Sequence, residues 1–397
     1  MTNPKLFTPQ TLRRHTYIAV LFLTLNGSLV SYINSSFLSQ LVGEKAIGWI
    51  YIVASLITIA GFWALPFVLR KNDLRQILLI TTMVMVTATG LLGLVAQPTA
   101  ILIAIFCIFY IAGALARYVL DLYLENISVD KVTGGIWGLF LTIINVAWLA
   151  SPLLAGFMLN GTANYQLVYL GATVIALPLF AIIIWGLTKQ SIKNIPPVSP
   201  VSSFAILFKP QSDFDRDIKN IISIDLLLNF FYSLMVVYTP IYLYQHIGLS
   251  WDQIGLVFTV MLLPFVLLDY PLGLLADKKI GEKEILVGGL VIMGLATIAL
   301  SFISGAGLAV WASLLFITRI GAASVEVAKE IYLFKRITPG DTSILSLSRM
   351  MVSFSYIIGP ALATVFLAFF DFRFIFLALG IIVLLGLRPA LALIDTR

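Results

Sequence analysis

The stretch IYLYQHIGLSWDQIG, residues 241–255, repeats in altered form a stretch near the start of the chain, SFLSQLVGEKAIG, residues 36–48. Phe37, Leu38, Gln40, Gly43, Ile47 and Gly48 answer to Tyr242, Leu243, Gln245, Gly248, Ile254 and Gly255. Two further pairs keep the same order: DLYL (121–124) with EIYL (330–333), and SPLLA (151–155) with GPALA (359–363). Tyr242 lies 205 positions after Phe37, and Glu330 lies 209 after Asp121, so the offset hardly drifts along the chain. Ordered matches at a steady offset point to an internal duplication.

The duplicated unit is membrane-spanning. The 397 residues are 60% hydrophobic and 11% charged, with a mean hydropathy of +1.02; soluble domains carry about 25% charged residues. Twelve apolar runs reach the ~20 residues that a helix needs to cross a bilayer. They cover residues 15–41, 46–69, 76–96, 100–123, 134–158, 165–188, 220–246, 252–276, 285–304, 307–333, 343–369 and 372–394. None shows the alternation of a membrane barrel strand. Backbone groups in lipid must be bonded within their own segment, so the runs are predicted helices. Six spans per copy return the chain to the side it started from, which makes the two copies parallel. Residues 189–219 are rich in Pro and Ser and then charged. They read as a cytoplasmic linker between a first six-helix bundle, 1–188, and a second, 220–397.

The net charge of +6 would suit a nucleic-acid partner, but its distribution argues against one. All but four of the 25 lysines and arginines fall on a single face once the N-terminus is placed inside. Lys45 and Arg373 lie on the other face, and Arg319 and Arg349 lie within spans. That is the positive-inside bias of a multi-pass protein, here expected in the cell (inner) membrane of a prokaryote with both termini cytoplasmic. The first span is too long for a signal-peptide core. The single cysteine, Cys107, excludes a disulfide framework, and His15 and His246 sit at opposite faces. No metal centre and no cofactor are expected.

The loop after the eighth span reads GLLADKKIGEKE, residues 273–284. Gly273, Asp277 and Lys278, followed by Gly281 and Lys283, resemble the loop signature G-x-x-x-D-[RK]-x-G-[RK]-[RK] of the major facilitator superfamily. One extra residue precedes Gly281, and Glu282 stands where a base is usual. With twelve spans in a 6+6 repeat and a long central loop, the resemblance covers nearly the whole chain. It implies an all-α fold of two six-helix bundles around a central cavity, and alternating inward- and outward-open states. It also implies that Asp277 sits at the start of span five, near Lys131. In the first-half loop PFVLRKNDLR (66–75), Arg70 takes the acidic position and would face Asp341 at the start of span eleven. The expectation is a charge-swapped pair of cytoplasmic latches.

A charge at the bilayer centre costs about 3 kcal/mol or more, so each one within a span needs a reason. In span ten, Arg319, Glu326 and Glu330 fall within about 40° of one face at 100° per residue. Arg319 and Glu326 read equally as a substrate or proton site and as an internal ion pair; Glu330 reads as interfacial. Span seven offers Asn229 and Tyr232 on one stripe with Asp225, which lies about one turn inside and reads as a snorkelling carboxylate. Asp269 and Arg349 lie seven residues in from their span ends, about 10 Å deep at 1.5 Å per residue. Arg349 is expected to pair with Asp269 or Glu326. Arg117 and Asp121, four apart at the end of span four, can pair along the helix or act as a cytoplasmic gate. Asn26 and Asn34 in span one are candidates for contact with a polar substrate, or for helix-to-helix bonds.

These features favour a secondary transporter of a small solute, acting as a monomer in the lipid bilayer. Asp225, Asp269 and Glu326 are the candidates for proton coupling, because apolar surroundings favour the neutral form of a carboxyl group. No P-loop for ATP occurs. Two other classes stay open: a polytopic membrane enzyme, which would need a cluster of acids or histidines at one face, and a transporter-shaped sensor or scaffold.

Overall fold

The computed structural model describes residues 8–95, 98–127, 133–190, 212–278, 280–303, 307–337 and 342–394. The chain is an integral, multi-pass membrane protein; among the described residues twelve helical segments are long and apolar enough to cross a membrane. In chain order the helices are α1 (Pro9–Val42), α2 (Ile47–Leu69), α3 (Leu74–Leu94), α4 (Thr99–Ile127), α5 (Thr133–Leu159) and α6 (Tyr165–Ala181). The second set is α7 (Asp213–Ile241), α8 (Trp251–Lys278), α9 (Glu282–Leu300), α10 (Leu308–Arg336), α11 (Thr342–Phe369) and α12 (Phe374–Leu385), followed by a short α13 (Leu387–Leu391).

The ends of these helices follow from local chemistry. The Thr8 hydroxyl accepts from the Thr11 amide at 3.2 Å, and Pro9, whose missing N–H would have no partner in a first turn, opens α1. Asp73 caps α3 by accepting from the Gln76 amide at 2.9 Å, and Ser212 with Asp215 forms a capping box on α7. α1 ends at Gly43 with φ +79°, and Gly248, its counterpart in the repeat, also has φ +79°. A side chain is strained in that conformation, so both copies of the quoted stretch keep glycine there.

The chain divides into two compact units. Unit 1 holds Met1–Glu44, Val53–Pro197 and Ser250–Gly255, and unit 2 holds Lys45–Ile52, Val198–Leu249 and Leu256–Arg397. The first turns of α2 and α8 are therefore each grouped with the unit built mainly from the other half of the sequence. Within unit 1, α3 packs on α4 and α6, and α1 packs on α4, α5 and α6. Within unit 2, α9 packs on α10 and α12, and α7 packs on α10, α11 and α12. Each pairing in one unit has its twin in the other.

The duplication persists at side-chain level. Phe37 at the end of α1 meets Tyr169 of α6 edge-on, with ring centroids 5.2 Å apart. Tyr242, its counterpart, meets Phe376 of α12 edge-on, also at 5.2 Å. Gly255 lies against the Pro152 carbonyl in unit 1, where an added Cβ would stand 2.5 Å from the oxygen. Gly48 lies against the Pro360 carbonyl in unit 2, with the corresponding distance 2.7 Å. The two glycines and the two prolines are the matched residues of the repeat, and small residues let helix backbones approach this closely.

Candidate functional site

Two tyrosines matched in the repeat anchor the chain ends of their own halves. Tyr123 of α4 accepts from the Thr188 amide at 2.9 Å and donates to the Thr188 carbonyl at 3.1 Å. Tyr332 of α10 donates to the Ile394 carbonyl at 2.9 Å and lies 2.9 Å from the carboxylate of Asp217, which also accepts from the Ile394 amide at 3.1 Å. A base reinforces each anchor: Arg75 donates to the carbonyls of Ile183 and Ile184, and Lys283 to that of Leu393 at 2.8 Å. Cations suit the carbonyl-rich end of a helix.

Between these anchors and the opposite ends of the helices, unit 2 carries a group of charged side chains. α10 contributes Arg319, Glu326, Lys329 and Glu330; α7 contributes Asp225, Asn229 and Tyr232; α8 contributes Asp269. The sequence reads Asp225 as a snorkelling carboxylate and Lys329 as one of the cytoplasmic bases. The structure corrects the first reading and gives Lys329 a buried partner. Lys329 is 7% exposed and Asp225 3%, and they form an ion pair of 2.8 Å. Asn229 donates to the same carboxylate at 2.9 Å, and the Ser348 hydroxyl of α11 donates to its other oxygen. Lys329 also contacts Glu330 at 3.0 Å. A buried pair supported by further hydrogen bonds can balance its desolvation, whereas either partner left alone could not. Lys329 escaped the sequence reading because a lysine near the end of an apolar run reads as an inside-facing loop residue.

About one to three turns back toward the start of α10 the pattern changes. Tyr232 donates to Glu326 Oε2 at 2.6 Å. Arg319 is 2% exposed, and its guanidinium lies 5.0 Å from the Phe231 ring centroid and 5.4 Å from that of Tyr232. Its Nε and Nη1 have no hydrogen-bond partner among the described residues. Two aromatic faces supply about 2 kcal/mol or more to a desolvated cation. Each unmade hydrogen bond costs about 1–3 kcal/mol, and more for a charged donor. Glu326, seven residues along the same helix face, accepts from Tyr232 and forms no ion pair with Arg319 among the described residues. Asp269, half-buried on α8, lies within electrostatic range of Glu326.

The other sequence candidates fall as follows. Asn26 is buried, donating to the Ala172 carbonyl at 3.0 Å, and Asn34 accepts from the Tyr169 hydroxyl at 2.6 Å. Both amides thus bond α1 to α6. Arg117 and Asp121 form an ion pair of 2.9 Å with both side chains 33% exposed. Arg70 is exposed, its guanidinium 5.9 Å from the Phe67 ring. Gly273 lies within α8, and Gly281, with φ +98°, precedes the first turn of α9. Lys131 and Asp341 lie outside the described residues, as do the side chains of Asp277, Lys278 and Arg349; both latches and the Arg349 pairing fall there. Among the described residues no group of three or more His, Cys, Asp or Glu side chains could hold a metal ion.

The sequence profile of the Major Facilitator Superfamily matches residues 224–396. No curated protein matches the chain in sequence. Among solved structures, the nucleoside transporter NupG superposes over 96% of this chain and 99% of its own, at 11% identity and a TM-score of 0.76. A POT family transporter in complex with 5-aminolevulinic acid covers 95% of this chain and 94% of its own, at 10% identity and a TM-score of 0.78. A bacterial homologue of the iron transporter ferroportin, in an inward-facing state, covers 97% and 99%, at 13% identity and a TM-score of 0.72. The whole chain has the fold of the Major Facilitator Superfamily, and its second half carries the superfamily's sequence pattern.

Proposed function

We propose that the protein is a secondary active transporter that moves a small solute by alternating access, with the proton as coupling ion. Residues 1–188 and 220–397 act as its two bundles, joined by a cytoplasmic linker at 189–219. The observation that carries this reading is the buried charge group of α7, α8 and α10 in a chain with a transporter fold. Intramembrane charges are costly and mark substrate and proton pathways.

The roles divide by partner. Asp225 is committed to Lys329 and holds α7 to α10. Asn229 completes that pair. Glu326 is the proton site: ionised, it accepts a charge-assisted bond from Tyr232; protonated, it gains a donor of its own and holds the tyrosine less strongly. Asp269, close to Glu326, is the second carboxylate on the proton route. Tyr232 and Arg319 meet the solute. Asn26 and Asn34 serve as bonds between helices.

The test is flux in proteoliposomes under an imposed pH gradient, with nucleosides and 5-aminolevulinic acid as first solutes because they match the fold relatives. Wild-type protein should accumulate one of these classes, or a related small solute, when the gradient is applied, and Glu326→Gln should not. Equal gradient-driven accumulation by wild type and by the Glu326→Gln, Asp269→Asn double variant would rule out proton coupling through these groups.

A further inference from the structure

We infer that the solute carries a compact oxyanion, a carboxylate or its like, and that Arg319 receives it. This inference rests on the transporter reading and adds the chemical class of the solute. Four observations support it. Arg319 is 2% exposed, and two of its three guanidinium nitrogens lack a partner among the described residues. The two rings that flank it stabilise positive charge without using its N–H donors. The acid on the same helix face, Glu326, accepts from Tyr232 at 2.6 Å and forms no ion pair with Arg319 among the described residues. The other buried base of the same helix, Lys329, is paired with Asp225 and Glu330, so the second half meets its buried cations with carboxylates where it needs only structure.

A guanidinium offers a carboxylate two forks, Nε with Nη2 and Nη1 with Nη2; each includes one of the unpartnered nitrogens, and such charge-assisted bonds are strong and directional. A lysine would supply a point charge without the fork. Tyr232 lies at once against Arg319 and on Glu326, so one ring touches both the anion receiver and the proton site. Displacing that ring opens Arg319 to a ligand, and the same displacement breaks the bond to Glu326.

The test uses the purified protein with simple anions as probes. Thermal unfolding is followed in sodium acetate, sodium 5-aminolevulinate and sodium phosphate, each against sodium chloride at equal ionic strength and against acetamide. At least one oxyanion should raise the unfolding temperature of wild type in a saturable way, and acetamide should not. Arg319→Gln should abolish the response, and Arg319→Lys should weaken apparent affinity about tenfold or more. If Arg319→Gln does not fold, the Arg319→Lys comparison decides. No oxyanion stabilising wild type beyond chloride, a response that survives in Arg319→Gln, or wild-type affinity in Arg319→Lys overturns the inference. Repeating the titration in phosphatidylcholine vesicles with and without an anionic lipid separates a soluble anion from a lipid headgroup; competition by the lipid alone overturns the solute assignment. Arg319-dependent binding without flux would contradict the transport reading and leave the anion site standing. Flux of a neutral solute unchanged by Arg319→Gln would do the reverse.

Discussion

The buried polar side chains of the first half are all neutral among the described residues, running from Thr16 through Asn26, Ser28, Asn34 and Thr89 to Ser151. Those of the second half include Asp217, Asp225, Glu282, Arg319 and Lys329. The two halves share helix pairings, aromatic contacts and glycine crossings, so this difference is one of content within a common frame. In the register of DLYL and EIYL, Arg319 answers to Tyr110 and Lys329 to Leu120. Neutral side chains suffice to join helices: Ser28 and Ser151 meet at 2.6 Å, and Asn26 and Asn34 bind α6. Buried charge in the second half joins helices too, in the pair of Lys329 with Asp225, and on the reading proposed above it also meets a proton at Glu326 and an anion at Arg319. On that same reading, one copy of the duplicated unit serves as a scaffold and the other carries the chemistry.

Breaking the buried pair should give the largest effect. Lys329→Met leaves Asp225 buried without its cation, and a loss of about 3–5 kcal/mol is expected. Thermal unfolding in detergent reads it, and adding Asp225→Asn should restore part of the loss. Additive losses would mean that the pair is not coupled. Next come the crossings, where the halves should behave alike. Gly255→Ala and Gly48→Ala each force a methyl against a proline carbonyl, at about 1–3 kcal/mol for overpacking. A large loss at one and none at the other would break the symmetry. Asn26→Leu should cost less, about 0.6–1.7 kcal/mol, as interhelical hydrogen bonds in membranes do, and should leave coupling intact. Arg117→Ala should move stability least, by at most about 0.5 kcal/mol, because its pair with Asp121 is one-third exposed.

The frame was legible from the sequence and much of the site was not. Twelve helices follow from the length of apolar chain that a bilayer demands, and the repeat could be read at Gly43 and Gly248 because a left-handed turn admits few other residues. The face shared by Arg319 and Glu326 follows from helical periodicity. Partners across helices do not, because they depend on how each helix is rotated against its neighbours. The pairing of Lys329 with Asp225 and the bond from Tyr232 to Glu326 are of this kind. The amides of Asn26 and Asn34 look the same in sequence whether they face a solute or another helix. Only the carbonyl of Ala172 and the hydroxyl of Tyr169 beside them show which bonds they make.

The central claim is that the second half couples a proton to an anion through Glu326, Tyr232 and Arg319. Its most direct test is gradient-driven accumulation in proteoliposomes of an oxyanion that stabilises the protein through Arg319, measured with internal pH. Wild type should accumulate the anion and move protons with it in the same direction. Glu326→Gln should still bind the anion and exchange it across the membrane, yet neither accumulate it nor move protons. Accumulation by Glu326→Gln at the wild-type level, with proton movement intact, would contradict the account.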